Sequence, residues 1–141
     1  MKKIVVTGVT GKSGLYFYKE LCKNADTLSD CHFYFVVRDE VKAKSLLCST
    51  ELNQTLLTGS LTDEAFVSSI FEMGGVKILL HIAGIDKSLN LVRAAVNAGV
   101  ERLILVHTTG IYSKYKAAGE GYRQIEKKID ALVEGRDIRL T

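Results

Sequence analysis

The sequence predicts an α/β protein built on an open, doubly wound parallel sheet, and three observations carry that expectation. Five short apolar runs rich in β-branched and aromatic residues recur along the chain. They are nearly continuous rather than alternating, as strands buried on both faces require. Segments of helical spacing lie between them, so strand and helix alternate at roughly 25 residues per unit, the rhythm of successive βαβ crossovers.

Residues 3–7 form the first expected strand, which runs into a glycine loop and then a helix beginning near Leu15. A loop-like cluster at 24–30 separates that helix from a second strand at 31–38, and a third strand follows at 53–58. Phe66, Ile70 and Met73 align on one helical stripe, and the run 76–82 reads as the fourth strand. Leu91, Ala95 and Ala98 mark the next helix, and 103–107 the fifth strand. Tyr122, Ile125, Ile129, Leu132 and Val133 share the stripe of a last helix, after which residues 137–141 open a sixth strand.

Composition narrows the function classes. The chain has 141 residues, 47% hydrophobic and 25% charged, enough for one domain with a sizeable core. A net charge of +3 with no basic block argues against a nucleic-acid or membrane surface. No apolar run approaches the roughly 18 residues of a membrane span, and no signal peptide precedes the first strand, so a cytosolic protein is expected. Cys22, Cys31 and Cys48 show no ligand or disulfide spacing and read as buried, reduced thiols. No metal site is expected. His32, His81 and His107 lie in or at the ends of apolar runs and read as packed strand residues.

The chemistry concentrates in Thr7-Gly8-Val9-Thr10-Gly11-Lys12-Ser13-Gly14, with glycines at i, i+3 and i+6. Such a loop turns tightly at Gly8, lets a pyrophosphate approach at Gly11 and lets the helix pack closely at Gly14. The amides at the helix start then face the anion. A P-loop is the rival, because Gly11-Lys12-Ser13 matches its GK[ST] end. Its opening glycine should stand at position 6, where this chain has Val6, and no later apolar run ends in the aspartate that would hold magnesium.

The glycine loop resembles the TGxTGxxG opening of the extended and atypical short-chain dehydrogenases, which include the NAD-dependent epimerase/dehydratases and the NmrA-like proteins. His81-Ile82-Ala83-Gly84 resembles the family's strand-four segment lining the cofactor. Residues 91–106 are similar to its next helix and strand, and His107-Thr108-Thr109-Gly110-Ile111-Tyr112 to its SS-x-x-V-Y segment. The resemblance covers the whole chain. It implies a Rossmann fold binding NAD(P), with strand order 3-2-1-4-5-6, and a cofactor site drawn from Gly8, Thr10, Gly11, Lys12, Ser13, Gly14, Arg38, Ser60, Leu61, Ala83 and Gly84.

Arg38 follows strand two, where an acid selects the ribose hydroxyl and a base the 2′-phosphate. Val36-Val37-Arg38 is similar to NADP-preferring members, so NADP is expected. Asp39 next to it keeps NAD open as an acceptor of a 2′-OH, and a solvated strand end is the plain alternative. Where the family usually has Gly-Asp after strand three, this chain has Gly59-Ser60, and Ser60 with Leu61 is expected to flank the adenine. Asp63 is read as a helix start.

Active relatives use a Ser or Thr after strand five and a Tyr-x-x-x-Lys pair. Thr108 fits the hydroxyl position by its spacing to Tyr112. Tyr112 and Lys116 have the pair's spacing but fall in the loop, whereas Tyr122 starts the correct helix and has Glu126 at i+4 and Lys127 about 100° further round. An anion beside Tyr122 would raise its pKa rather than lower it. The resemblance therefore implies an NADP-dependent oxidoreductase acting on a small carbonyl or sugar-like compound, with Thr108 and Tyr122 as its candidate catalytic residues. A non-catalytic dinucleotide sensor is the second reading, and a nucleotide hydrolase a remote third. The domain is expected to be the N-terminal part of a longer chain, because it ends in a strand, has no proline, and precedes the point where the family places its substrate region.

Overall fold

The computed structural model describes residues 1–106 and 116–141, except for the side chains of 85, 116–119 and 122. Its strands are β1 (Lys2–Thr7), β2 (Cys31–Val37), β3 (Gln54–Thr58), β4 (Val76–His81), β5 (Arg102–Leu105) and β6 (Arg139–Leu140). All pair in parallel, in the order β3-β2-β1-β4-β5-β6. Among the described residues five α-helices connect them: α1 (Lys12–Lys23), α2 (Glu40–Leu46), α3 (Glu64–Ile70), α4 (Ser88–Asn97) and α5 (Lys116–Val133).

The sheet divides the core into two layers, and the period-2 alternation of each strand decides which residue enters which. Val5 and Val36 point to the side of α3, α4 and α5, where they pack with Val67, Leu79, Leu91 and Ile129. Their neighbours Val6 and Val37 point to the side of α1 and α2, into a layer with Tyr18, Phe33, Phe35 and Ala43. Both faces are therefore covered, which is why the strands read as unbroken apolar runs. Each fully buried Val, Leu or Phe contributes about 1.5–3 kcal/mol.

Several expectations change in detail. The first helix starts at Lys12 rather than near Leu15, so Gly14 lies in its first turn. Cluster 24–30 holds a 3-10 turn at Ala25–Leu28, with Ala25 buried. Strand two stops at Val37, which leaves Arg38 exposed just beyond it. The fourth strand ends at His81, and the fifth covers Arg102–Leu105, with His107 outside the described residues. In α4 the buried stripe is Leu91, Val92, Ala95 and Val96; Ala98 follows the last helical residue and is exposed. Met73 lies past the end of α3, where Val67 and Ile70 are the buried positions. Of the three free thiols only Cys31 is buried; Cys22 is half-buried, and Cys48 is exposed between the inward-facing Leu47 and Leu52. His32 is likewise half-exposed, its Nε2 2.8 Å from Thr55 Oγ1. Among the described residues no three His, Cys, Asp or Glu side chains converge as a metal site, and no helix is long and apolar enough to cross a membrane.

Candidate functional site

The strand order reverses between β1 and β4, and a crevice at the carboxyl ends of the strands is the geometric result. The cleft there has a volume of about 360 Å³. Gly8, Thr10 and Gly11 line one wall, and Ile82, Ala83, Gly84 and Lys87 another; Val36, Val37, Arg38 and Lys42 come from the end of β2 and from α2, Gly59 and Leu61 from the segment after β3.

The three loop glycines differ in what demands them. Gly8 has φ +74°, and a Cβ there would stand 2.6 Å from the Ala83 amide nitrogen. At Gly14 a Cβ would fall on the Gly8 carbonyl oxygen and 2.6 Å from Val9 Cα. Neither position tolerates a side chain, because both neighbours are backbone. Gly11 is different: its φ of −76° and ψ of 174° suit any residue. Its Cβ would meet only the Gly8 oxygen, at 3.4 Å. Nothing within the described protein requires glycine at position 11.

Gly11 is also the N-cap of α1, with no side-chain cap and no acid in the first turn. No side chain therefore offsets the positive end of that helix, whose N-cap Gly11 lines the cleft. The next two helices are closed by aspartates. Asp39 Oδ1 accepts from the Lys42 amide at 3.0 Å, and Asp63 Oδ1 from the amides of Ala65 and Phe66 at 3.0 and 3.3 Å. Asp39 thus serves as a cap, as the sequence reading expected for Asp63.

Beneath the glycine wall lies a buried polar pair. Thr7 Oγ1 is 2.6 Å from His81 Nδ1, and His81 Nε2 is 3.1 Å from the Gly84 carbonyl oxygen. A carbonyl only accepts, so Nε2 carries the ring proton and, in the neutral ring, Nδ1 accepts from the threonine hydroxyl. Both side chains are fully buried. His81 thereby ties the end of β1 to the segment that forms the facing wall.

Of the expected site residues, Gly8, Thr10, Gly11, Arg38, Leu61, Ala83 and Gly84 come together around the cleft. Lys12, Ser13 and Gly14 lie in the first turn of α1, outside the lining, Lys12 and Ser13 exposed and Gly14 buried. Ser60 is also absent from the lining; its hydroxyl is 2.7 Å from Thr62 Oγ1 and accepts from the Thr62 amide. Thr108, Tyr112 and the side chain of Tyr122 are outside the described residues. Glu126 does stand one turn after Tyr122 on α5, lining a groove with Leu105, Ile129 and Leu140. Lys42 and Lys87 were missed, although both stand within a few residues of a strand's carboxyl end, where α/β ligands bind. With Arg38 they are the only charged residues in the described lining, which contains no carboxylate.

This fold and cleft define a class, the Rossmann domains of the short-chain dehydrogenase/reductase superfamily. Within it the chain belongs to the NmrA-like family, whose model matches residues 1–130. Comparison with curated protein sequences gives no match. Among solved structures, the NADPH-dependent quinone oxidoreductase of Escherichia coli is 26% identical with a TM-score of 0.69, over 94% of this chain and 44% of that one. Triphenylmethane reductase of Citrobacter sp., complexed with NADP(H), is 24% identical with a TM-score of 0.68, over 92% of this chain and 45% of that one. Leucoanthocyanidin reductase of Vitis vinifera, in a binary complex with NADPH, is 16% identical with a TM-score of 0.69, over 99% and 48%. The chain spans less than half the length of each.

Proposed function

We propose that the cleft binds NADP(H) and that the chain is the nucleotide-binding part of an NADP-dependent oxidoreductase acting on a small carbonyl compound. The observation that carries this reading is Gly11, a glycine that neither its backbone angles nor its neighbours require. An outside group reaching the loop backbone explains it, and a pyrophosphate over an uncapped helix end is such a group. Arg38 and Lys42 lie at the end expected to hold the adenosine ribose, and neither has an ion-pair partner among the described residues. With Asp39 engaged as a helix cap, a 2′-phosphate suits this corner better than a 2′-hydroxyl. The bound nicotinamide would supply hydride for reduction of the carbonyl. The residues of this chain bind and orient it: Gly8 and Gly11 let it approach, Ala83 and Gly84 border it, and Arg38 selects its phosphate.

Titration of NADPH and NADH, read by the reduced nicotinamide's own fluorescence, tests the assignment. NADPH is expected to bind more tightly. In Arg38→Ala its affinity should fall by a charge-assisted bond's worth, about 1.5–3 kcal/mol, with NADH little changed. Equal weakening of the two cofactors would show that Arg38 serves the fold.

A second reading, a dinucleotide sensor without turnover, is favoured by Glu126 in the place where a lysine would activate Tyr122. On that basis Tyr122→Phe is expected to lower NADPH oxidation over a panel of carbonyl compounds by less than about tenfold. A loss near a thousandfold, within the range of acid–base groups, would make Tyr122 the working acid. Tight NADPH binding with no oxidation anywhere in the panel would favour the sensor.

A further inference from the structure

We propose that Lys87 is a further cofactor-binding residue that holds the diphosphate of the dinucleotide from the wall facing the glycine loop. The proposal rests on the cleft's being a dinucleotide site and extends it to a residue that no glycine motif includes.

Position is the first support. Lys87 ends the 3-10 turn Ile85–Lys87 directly before α4, and it lines the same cleft as Gly8 and Gly11. Its backbone is anchored to that loop through a short relay. The Lys87 amide donates to the Gly84 carbonyl at 3.1 Å, His81 Nε2 donates to the same carbonyl, and His81 Nδ1 meets Thr7, the residue before Gly8. The backbone of the lysine is thus tied to the residue before Gly8 by a chain of hydrogen bonds, of which the Thr7–His81 bond is buried.

Charge is the second support. The Lys87 side chain is half-buried and forms no ion pair among the described residues, whose three ion pairs all lie elsewhere on the surface. Arg38 follows β2 and Lys42 lies in α2, at the corner read as the ribose end, so Lys87 is the one cation of the described lining on the β4 side. A diphosphate carries about two negative charges, whereas a helix end offers the equivalent of roughly half a positive one. An ammonium on the opposite wall makes up part of the difference, and as a compact point charge it suits a diphosphate without demanding one bidentate geometry.

The test separates the two phosphate groups with fragments. ADP-ribose carries the diphosphate without the 2′-phosphate, and 2′-AMP the reverse. By calorimetry, Lys87→Met is expected to weaken ADP-ribose, NADH and NADPH alike by at least about fivefold, a half-exposed charge contact being weaker than a buried one. It should leave 2′-AMP within about twofold and the unfolding midpoint unchanged, and Lys87→Arg should recover most of the loss. Unchanged ADP-ribose affinity in Lys87→Met, or equal loss on both fragments, overturns the proposal and leaves the dinucleotide site standing. Failure of the wild-type chain to bind NADPH or ADP-ribose at all overturns both.

Discussion

Gly11→Val is expected to lower NADPH affinity by at least about 100-fold, roughly 2.7 kcal/mol, while the domain stays folded. The separation of the two effects follows from local geometry. Valine is comfortable at φ −76° and ψ 174°, and its Cβ meets only the Gly8 oxygen at 3.4 Å. The fold loses only the difference between glycine and valine at an N-cap, about 1 kcal/mol. Its two γ-methyls, however, fill the space through which a pyrophosphate reaches the loop amides. Fluorescence titration reads the first effect and circular dichroism the second. Wild-type affinity in a folded variant would sink the cofactor assignment.

Gly14→Val, three residues on, is expected to do the opposite and remove stability outright. The added Cβ collides with the Gly8 oxygen and with Val9 Cα, and no rotamer change relieves a collision with backbone. Helix α1 would have to lift from the loop that precedes it. Overpacking of side chains costs about 1–3 kcal/mol, so a backbone collision should cost about 3 kcal/mol or more out of the 5–15 typical of a domain. Urea unfolding measures this. A loss under about 1 kcal/mol would mean that helix and loop do not touch.

The contrast between these glycines marks what the sequence could convey. Their spacing, after an apolar run and before a helix, announced the loop, and continuous runs such as Phe33 to Val37 announced strands covered on both sides. The strand order came from the family resemblance, because local periodicity carries no information about which strands pair. Residues whose role depends on convergence were less legible. Lys87 reads as an ordinary polar residue before a helix until β4 is set beside β1, and His81 reads as a packed strand residue until Thr7 comes within 2.6 Å. Asp39 was ambiguous for a related reason: whether its carboxylate faces a ribose or the Lys42 amide is decided by one turn of backbone, and it caps. Ser60, expected beside the adenine, bonds Thr62 and stays out of the lining.

The abutment of Gly8 on Ala83, with the Thr7–His81 bond beneath it, has a kinetic consequence. The two walls meet at a seam of backbone and buried polar contact, so the floor of the cleft is held by the protein's own contacts. Such a site has little chain entropy to surrender on association; the cost falls mainly on the ligand's own freedom. If the cleft takes the dinucleotide as proposed, encounter is expected to be a single step limited by diffusion and orientation, with variants of the lining differing chiefly in how long the bound molecule stays.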